Sequence, residues 1–259
     1  MYTTLLTNIE NGTMVITINR PDKMNALNRE VIEDLCKALD EVYNNPEVKS
    51  AIITGAGEKA FVAGADISEF TTLDEQTGMM LAKRGRVSVF DKVEHCHKPI
   101  VAAVNGFALG GGCELAMACH FRTAATNARF GQPEVNLGLI PGYGGTQRLT
   151  QLIGKGKAME LLMSADMVGA DDAKALGLVN HVFAPEELMA KTKEILQKIQ
   201  TKAPAAVSKI IECVNDAAMC APDGFDKEIE RFGACFATED MKEGANAFLE
   251  KRKPVFKGK

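Results

Sequence analysis

The run Asn105-Gly106-Phe107-Ala108-Leu109-Gly110-Gly111-Gly112-Cys113-Glu114 decides how this chain is read. It leaves a β-rich segment, Pro99 to Val104, and enters a helical one containing Leu115, Ala116, Ala118 and Cys119. Three glycines at a strand-to-helix junction let a backbone pass close to a ligand, and the first N–H groups of a helix have no partners within it. Those groups form the positive end of the helix and favour negative charge. The spacing is not the G-x-G-x-x-G of a dinucleotide site, and no Gly-Lys-Ser/Thr follows as in a P-loop. A hole for negative charge that develops only during reaction therefore fits better than a phosphate cradle. Taken alone, the triplet is equally compatible with glycines that merely permit close helix–strand packing.

Outward from this run, strands and helices alternate. Met14-Val15-Ile16-Thr17-Ile18 reads as a strand, and Asn28 as the cap of a helix in which Val31, Leu35 and Leu39 recur at helical spacing. Asn44-Asn45-Pro46 stops that helix before a strand at Ser50-Ala51-Ile52-Ile53-Thr54. Phe121 to Ala124 is a further short strand, and Gly177 ends a helix before a last one at Leu178-Val179-Asn180-His181-Val182. Such alternation is the signature of an α/β fold. From Glu186 the character becomes helical to about Lys253, with Leu188, Ile195, Leu196 and Ile199 in helical period. Helices with no strand to cover must bury their apolar faces on the body or on another subunit. The chain thus divides into a catalytic core over 1–195 and a helical oligomerisation region over 196–259.

Two other segments resemble the glycine run in being too specific for ordinary core. They are Phe61-Val62-Ala63-Gly64-Ala65-Asp66-Ile67-Ser68, and Phe130-Gly131-Gln132-Pro133-Glu134 continuing to Pro141-Gly142-Tyr143-Gly144-Gly145. Glu114 falls on an otherwise apolar helix, where a carboxylate costs several kcal/mol unless it is partnered or neutral. Glu134 lies among Phe130, Val135, Leu137, Leu139 and Ile140. Two carboxyls in apolar settings suggest an acid and a base with separated pKa values, the alternative being two exposed loop acids.

Composition excludes several classes. With 46% hydrophobic and 25% charged residues the 259-residue chain is of globular type. A net charge of −4 and a pI near 5.7 give no general basic field for nucleic acid or an anionic membrane. No apolar run approaches a membrane span, the longest candidate, Pro99 to Leu109, being interrupted by Asn105 and Gly106. No signal-peptide pattern opens the chain, and seven cysteines without a C-x-x-C pair fit a reducing compartment, so a cytoplasmic location is expected.

The three segments, in this order, resemble the crotonase (enoyl-CoA hydratase/isomerase) superfamily, most of all its short-chain enoyl-CoA hydratases and 3-hydroxybutyryl-CoA dehydratases. The likeness runs from Asn19-Arg20-Pro21 and Asn25-Ala26-Leu27 to Ala247-Phe248-Leu249-Glu250-Lys251-Arg252-Lys253. It implies a spiral of ββα units with a helical C-terminal trimerisation region, assembled as a hexamer (a dimer of trimers). It implies a hydro-lyase interconverting short-chain (3S)-3-hydroxyacyl-CoA and trans-2-enoyl-CoA plus water, in fatty-acid or butyrate metabolism, with no cofactor because the CoA thioester is the substrate. By resemblance, Ala65 and Gly111 supply oxyanion-hole N–H groups, Glu114 activates water, Glu134 delivers the proton to C2, and Gly142 helps to place the water. Ala26, Ala63, Ala65, Asp66, Ile67, Ser68 and Gly111 are the expected substrate contacts, with Phe248 and Lys251 reaching a neighbouring subunit's CoA. The other reading of the Lys251–Lys253 run is a solvated face.

An isomerase or decarboxylase on the same fold is the nearest alternative, but many of those relatives lack one of the two glutamates present here. An RNA-binding or scaffold role, from another class, is opposed by the acidic charge and by the absence of a basic helix. His95-Cys96-His97 is the one local cluster of potential metal ligands, and its adjacent residues cannot all converge on one ion from a helix face. No metal site is expected. Cys113 reads as a small buried residue, since no His or Asn is near it to activate a thiol. Tyr143 lines the acyl pocket or simply packs. His120 stands where the nearest relatives usually carry Asp, at a helix C-terminus that suits a His.

Overall fold

The computed structural model describes residues 2–259. The chain opens with an antiparallel pair, β1 (Leu5–Glu10) and β2 (Thr13–Ile18). Helix α1 (Arg29–Asn44) follows, its first turn capped by Asn28 Oδ1, which accepts from Val31 N at 3.0 Å. Its inward face is Val31, Leu35, Ala38, Leu39 and Val42, all buried in the main core.

Three two-strand steps come next. β3 (Ser50–Gly55) leads into β4 (Ala60–Val62), after which α2 (Glu75–Gly85) passes through a π-helical turn, Arg86–Phe90, into α3 (Asp91–Glu94). β5 (Ile100–Val104) leads into β6 (Phe107–Leu109) and α4 (Gly111–Ala118). β7 (Phe121–Ala125) leads into β8 (Arg129–Gly131), then α5 (Gly145–Ile153) and α6 (Lys155–Ser164). The first strand of each step joins one sheet and the second joins another; with β9 (Val168–Gly169) and β10 (His181–Phe183) the orders are β1-β2-β3-β5-β7-β10 and β4-β6-β8-β9. β9, α7 (Ala170–Ala175) and β10 finish both sheets. The expected spiral of ββα units is present, wound around a core shared by the two sheets.

Central strands β3 and β5 are buried at every position, which is why they read as unbroken apolar runs. Neighbouring steps are tied where they turn. Asn105 Nδ2 donates to Gly55 O at 2.9 Å and to Gly57 O at 2.7 Å, and its Oδ1 accepts from Gly55 N at 3.2 Å. The expected strand at Leu178–Val182 is shorter and later. Only His181–Phe183 pairs, with Thr123–Ala125, while Leu178 and Val179 are buried in the connection without a partner strand.

Helix α8 (Leu188–Gln200) covers the outer face of the first sheet, burying Leu188 and Leu196 against Ile52, Val101 and Ala103. The 195/196 division drawn from the sequence falls inside this helix. Beyond it α9 (Pro204–Ala218), α10 (Gly224–Cys235) and α11 (Glu239–Leu249) behave differently. They leave Ile210, Val214, Phe225, Ile229, Phe232, Phe236 and Phe248 exposed.

Candidate active site

The junction between β6 and α4 is built as the glycines suggested. Gly110 turns the chain at φ 49, ψ −124, a conformation closed to side-chain-bearing residues. Gly112 lies so close to β4 that a Cβ there would sit 2.0 Å from Val62 O. The close packing of helix on strand is thus present at this junction.

Glu114 is 1% exposed on the first turns of α4. Its Oε1 accepts from Tyr143 N and from Gly145 N, each at 2.7 Å, and Gly145 opens α5. The carboxyl is thus held by donors at a helix N-terminus, which lack partners inside the helix. Oε2 has no hydrogen bond, yet no buried side-chain polar atom is without a partner among the described residues, so solvent reaches Oε2. One oxygen is anchored and the other has no protein donor among the described residues. Burial pushes the Glu114 pKa up to about 7, the Gly145 N–H opposes it, and the Glu134 charge adds to the rise.

Glu134 begins a 3-10 turn, Glu134–Leu137, directly after Pro133. Its Oε1 occupies space that a Cβ on Gly110 would need, at 2.8 Å, which sets the carboxyl beside the start of α4. The side-chain amide of buried Gln132 lies 3.1 Å from both Glu134 oxygens, donating to a carboxylate when its nitrogen is the inward atom. Burial raises the Glu134 pKa as well. The alternative of two exposed loop acids does not hold.

Ala65 lies beside α4 through Leu27. Leu27 and Ala65 form an isolated parallel bridge, and Leu27 Cδ1 would be 3.3 Å from a Cβ on Gly111. Leu27 N donates to Gly64 O and Asp66 N to Leu27 O, leaving the Ala65 N–H outside the bridge. Among the described residues neither the Ala65 N–H nor the Gly111 N–H donates to a protein acceptor. Arg20 fixes this edge, reaching Ala26 O at 2.5 Å and Asp66 Oδ2 at 3.1 Å, while Ser68 Oγ donates to Asp66 Oδ1 at 2.7 Å. Ala63 is tied to the same loop by its N–H on Met24 O, and Ile67 and Ser68 are exposed at its rim.

Gly142 is exposed next to Tyr143, and a Cβ on it would touch only Ala82. Tyr143 is nearly buried, its ring stacked on Phe90 at 4.5 Å and lying against Gly111, so it packs and borders the site at once. Phe248 and Lys251 lie on and just after α11, and among the described residues no hydrogen bond or ion pair joins either to the Glu114 cluster. Burial pushes the Cys113 thiol up to about 12, which keeps it un-ionised. His95 turns to Asp91 O, His97 packs edge-on to Tyr43, and Cys96 is buried in the core. His120 accepts from Ile100 N through Nδ1 at 2.8 Å and faces Glu94 O through Nε2 at 3.2 Å. The position is internal and bridging, and burial lowers its pKa to about 4.

The sequence reading assigned no role to Gln132, Gly145 or Arg148, though the first two stood inside a quoted motif. Their signal was weak: a polar residue before Pro-Glu, a second glycine, and an arginine on a helix that reads as amphipathic. What these groups assemble is specific. An enclosed carboxyl with one free oxygen, a second carboxyl of raised pKa and two unused N–H donors line one edge of α4. Such a set can move two protons and receive a negative oxygen.

Comparison with known proteins agrees with this chemistry. Residues 8–259 match the family described as Enoyl-CoA hydratase/isomerase. A short-chain-enoyl-CoA hydratase of Clostridium acetobutylicum is 49% identical over 245 residues, covering 94% of each chain. A crotonyl-CoA hydratase of Syntrophomonas wolfei is 48% identical over 256 residues, covering 98% of each. The crystal structure of an enoyl-CoA hydratase from Bacillus anthracis superposes with a TM-score of 0.94 at 37% identity, over 99% of this chain and 100% of that one. With the spiral fold, the glycine junction and the full-length match in agreement, the chain belongs to the enoyl-CoA hydratase/isomerase family.

Proposed function

We propose that this chain is a hydro-lyase that interconverts short-chain (3S)-3-hydroxyacyl-CoA and trans-2-enoyl-CoA plus water, with crotonyl-CoA as the four-carbon substrate. The names of the two relatives near 49% identity support the short chain length. The observation that carries the reading is the asymmetry of Glu114, which has Oε1 fixed by two backbone donors and Oε2 open.

In the hydration direction the thioester oxygen accepts from the N–H groups of Ala65 and Gly111. Glu114 Oε2 removes a proton from water as its oxygen bonds to C3, with Gly142 helping to place that water. The C2=C3 electron pair moves toward C1, and the thioester oxygen takes the charge as an enolate. Glu134, protonated, then gives its proton to C2 and the enolate collapses. Glu114 ends protonated and Glu134 ionised, and one proton exchange resets them. Carboxyls of raised pKa suit both tasks near neutral pH. The two oxyanion donors are aimed where charge appears, and each is worth about 2.7–4 kcal/mol of barrier. The balanced reaction consumes no cofactor.

Ala26, Ala63, Asp66, Ile67 and Ser68 bind the CoA side of the substrate in this reading. The exposed apolar faces of α9 to α11 are the assembly surface of a homohexamer, in which Phe248 and Lys251 reach a neighbour's CoA. This region corresponds to the oligomerisation part, 196–259, of the chain. No helix among the described residues is long and apolar enough to cross a membrane. A cytoplasmic enzyme of fatty-acid or butyrate metabolism completes the proposal.

The test is hydration of crotonyl-CoA, followed by loss of the conjugated double bond, in Glu114→Gln and Glu134→Gln. Each variant is expected to lose most turnover while keeping fold and assembly, and the double variant to fall far less than the product of the two. Near wild-type turnover in either single variant refutes the two-carboxyl mechanism.

A further inference from the structure

Behind the site lies a buried guanidinium that the proposed reaction does not use. Arg148, on α5, is 6% exposed. Its Nε and Nη2 reach Glu94 Oε1 and Oε2 at 3.0 and 2.7 Å, a bidentate pair, and Nη2 also lies 3.3 Å from Asp91 Oδ1. Its Nη1 donates to Tyr143 O at 2.7 Å. Tyr143 is also the residue whose N–H holds Glu114 Oε1. One peptide-bearing residue thus has its carbonyl on Arg148 and its N–H on the carboxyl. Glu94 is anchored in turn, because its main-chain oxygen accepts from Asn215 Nδ2 of α9 at 2.7 Å and faces His120 Nε2 at 3.2 Å.

We infer that the Glu94–Arg148 pair is a positioning device for the proton-accepting carboxyl, acting through the Tyr143–Gly145 turn. It rests on the reading of Glu114 as the base. The physical argument concerns what fixes the turn. A rigid bidentate fork costs little ordering per bond and tolerates no lysine-like point contact, so it sets the position of the Tyr143 carbonyl closely. The turn follows an exposed stretch, Val135 to Ile140, that packs on little and cannot set that position itself. Three side chains from separate elements, Arg148, Glu94 and Asn215, therefore hold what the active-site loop cannot.

The charged and titratable neighbours of Glu114 sharpen the test. They are Glu134 from the 3-10 turn, Cys113 on α4, the Tyr143 hydroxyl from the turn before α5 and Arg148 on α5. Asp91 and Glu94 face Arg148, and Arg86 pairs with Asp91 at 3.2 Å. If Arg148 acted on Glu114 by charge alone, Glu94→Gln, which removes a negative charge, would make Glu114 more acidic. If the pair acts by position, Glu94→Gln loosens the turn, weakens the two N–H bonds that favour the carboxylate, and makes Glu114 less acidic.

The experiment is the pH profile of kcat/KM for crotonyl-CoA hydration in Glu94→Gln, Arg148→Met and Arg148→Lys, with circular dichroism and light scattering matched to wild type. In all three the acidic limb should move to higher pH. At neutral pH kcat should fall by on the order of 10²-fold, the scale of an ångström of misplacement, with KM little changed. Arg148→Lys should recover only part of the loss. An unshifted limb, or one moved down in Glu94→Gln, overturns the inference. Should Arg148→Met fail to assemble, Glu94→Gln decides, because it leaves the buried guanidinium in the chain and alters only its anchor. Glu114→Gln in the same assay separates the two readings. If it remains active, the base assignment fails. If it is inactive while the pair variants behave as wild type, only the positioning role fails.

Discussion

Replacing Glu114 by Gln should make the protein more stable as the pH rises, at the expense of its activity. Burial lifts the Glu114 carboxyl from its ordinary 4.5 to about 7. Between those values the folded state keeps a proton that the unfolded state releases, so wild-type stability falls as pH rises through the interval and levels off above 7. The full span amounts to about 3 kcal/mol at 1.36 kcal/mol per unit. Glutamine keeps an oxygen to accept from Tyr143 N and Gly145 N and has no charge to desolvate. The stability difference between variant and wild type should therefore move in favour of the variant by roughly 2–3 kcal/mol between pH 5 and pH 8.5. Urea unfolding at fixed protein concentration measures it, since linkage to assembly is then the same for both. A difference that stays flat with pH, or that favours the variant most at pH 5, would refute the argument that this carboxyl is held near 7 by burial.

Gly111→Pro should destroy turnover far more than substrate affinity. Gly111 opens α4 outside the left-handed region, so proline fits its backbone, and the side chains nearest a new Cβ are the flexible Leu27 and the Tyr143 ring. Its N–H is removed, and kcat should fall about 10²–10³-fold with CoA affinity and circular dichroism unchanged; survival of kcat would leave the glycine a packing role only. Light scattering should return a hexamer at micromolar concentration, and a monomer would show that the exposed faces of α9 to α11 are not an assembly surface. Turnover on enoyl-CoAs of four to ten carbons should be highest at four, and a preference for ten would contradict the short-chain assignment.

Much of this architecture was legible in residue order. Central strands β3 and β5 were readable because burial on both faces demands nearly continuous apolar runs, and α1 because Asn28 caps a helix with a clear inward face. The second sheet was not readable. Its strands run two or three residues, too short for a period-two pattern to appear, and they exist because neighbours supply their partners, parallel for β4-β6-β8 and antiparallel for β8-β9. β10 was placed too early for another reason, since Leu178 and Val179 are apolar and buried but no strand pairs with them.

For the site, the sequence by itself determined the chemical types: a glycine junction with unused helix donors, Glu114 on an apolar helix, and Glu134 in an apolar stretch. Local covalent neighbourhood suffices for that, because a charge among apolar residues is conspicuous wherever the chain goes. Which oxygen of Glu114 is free, that Gln132 lies against Glu134, and that Arg148 and Glu94 brace the Tyr143 turn were decided only by tertiary structure. The Glu114–Tyr143 and Glu94–Arg148 contacts join residues 29 and 54 positions apart, and Asn215 adds one at 121. Hydrogen-bond direction and desolvation depend on a few ångströms of three-dimensional placement, which winding one spiral step upon the next alone creates.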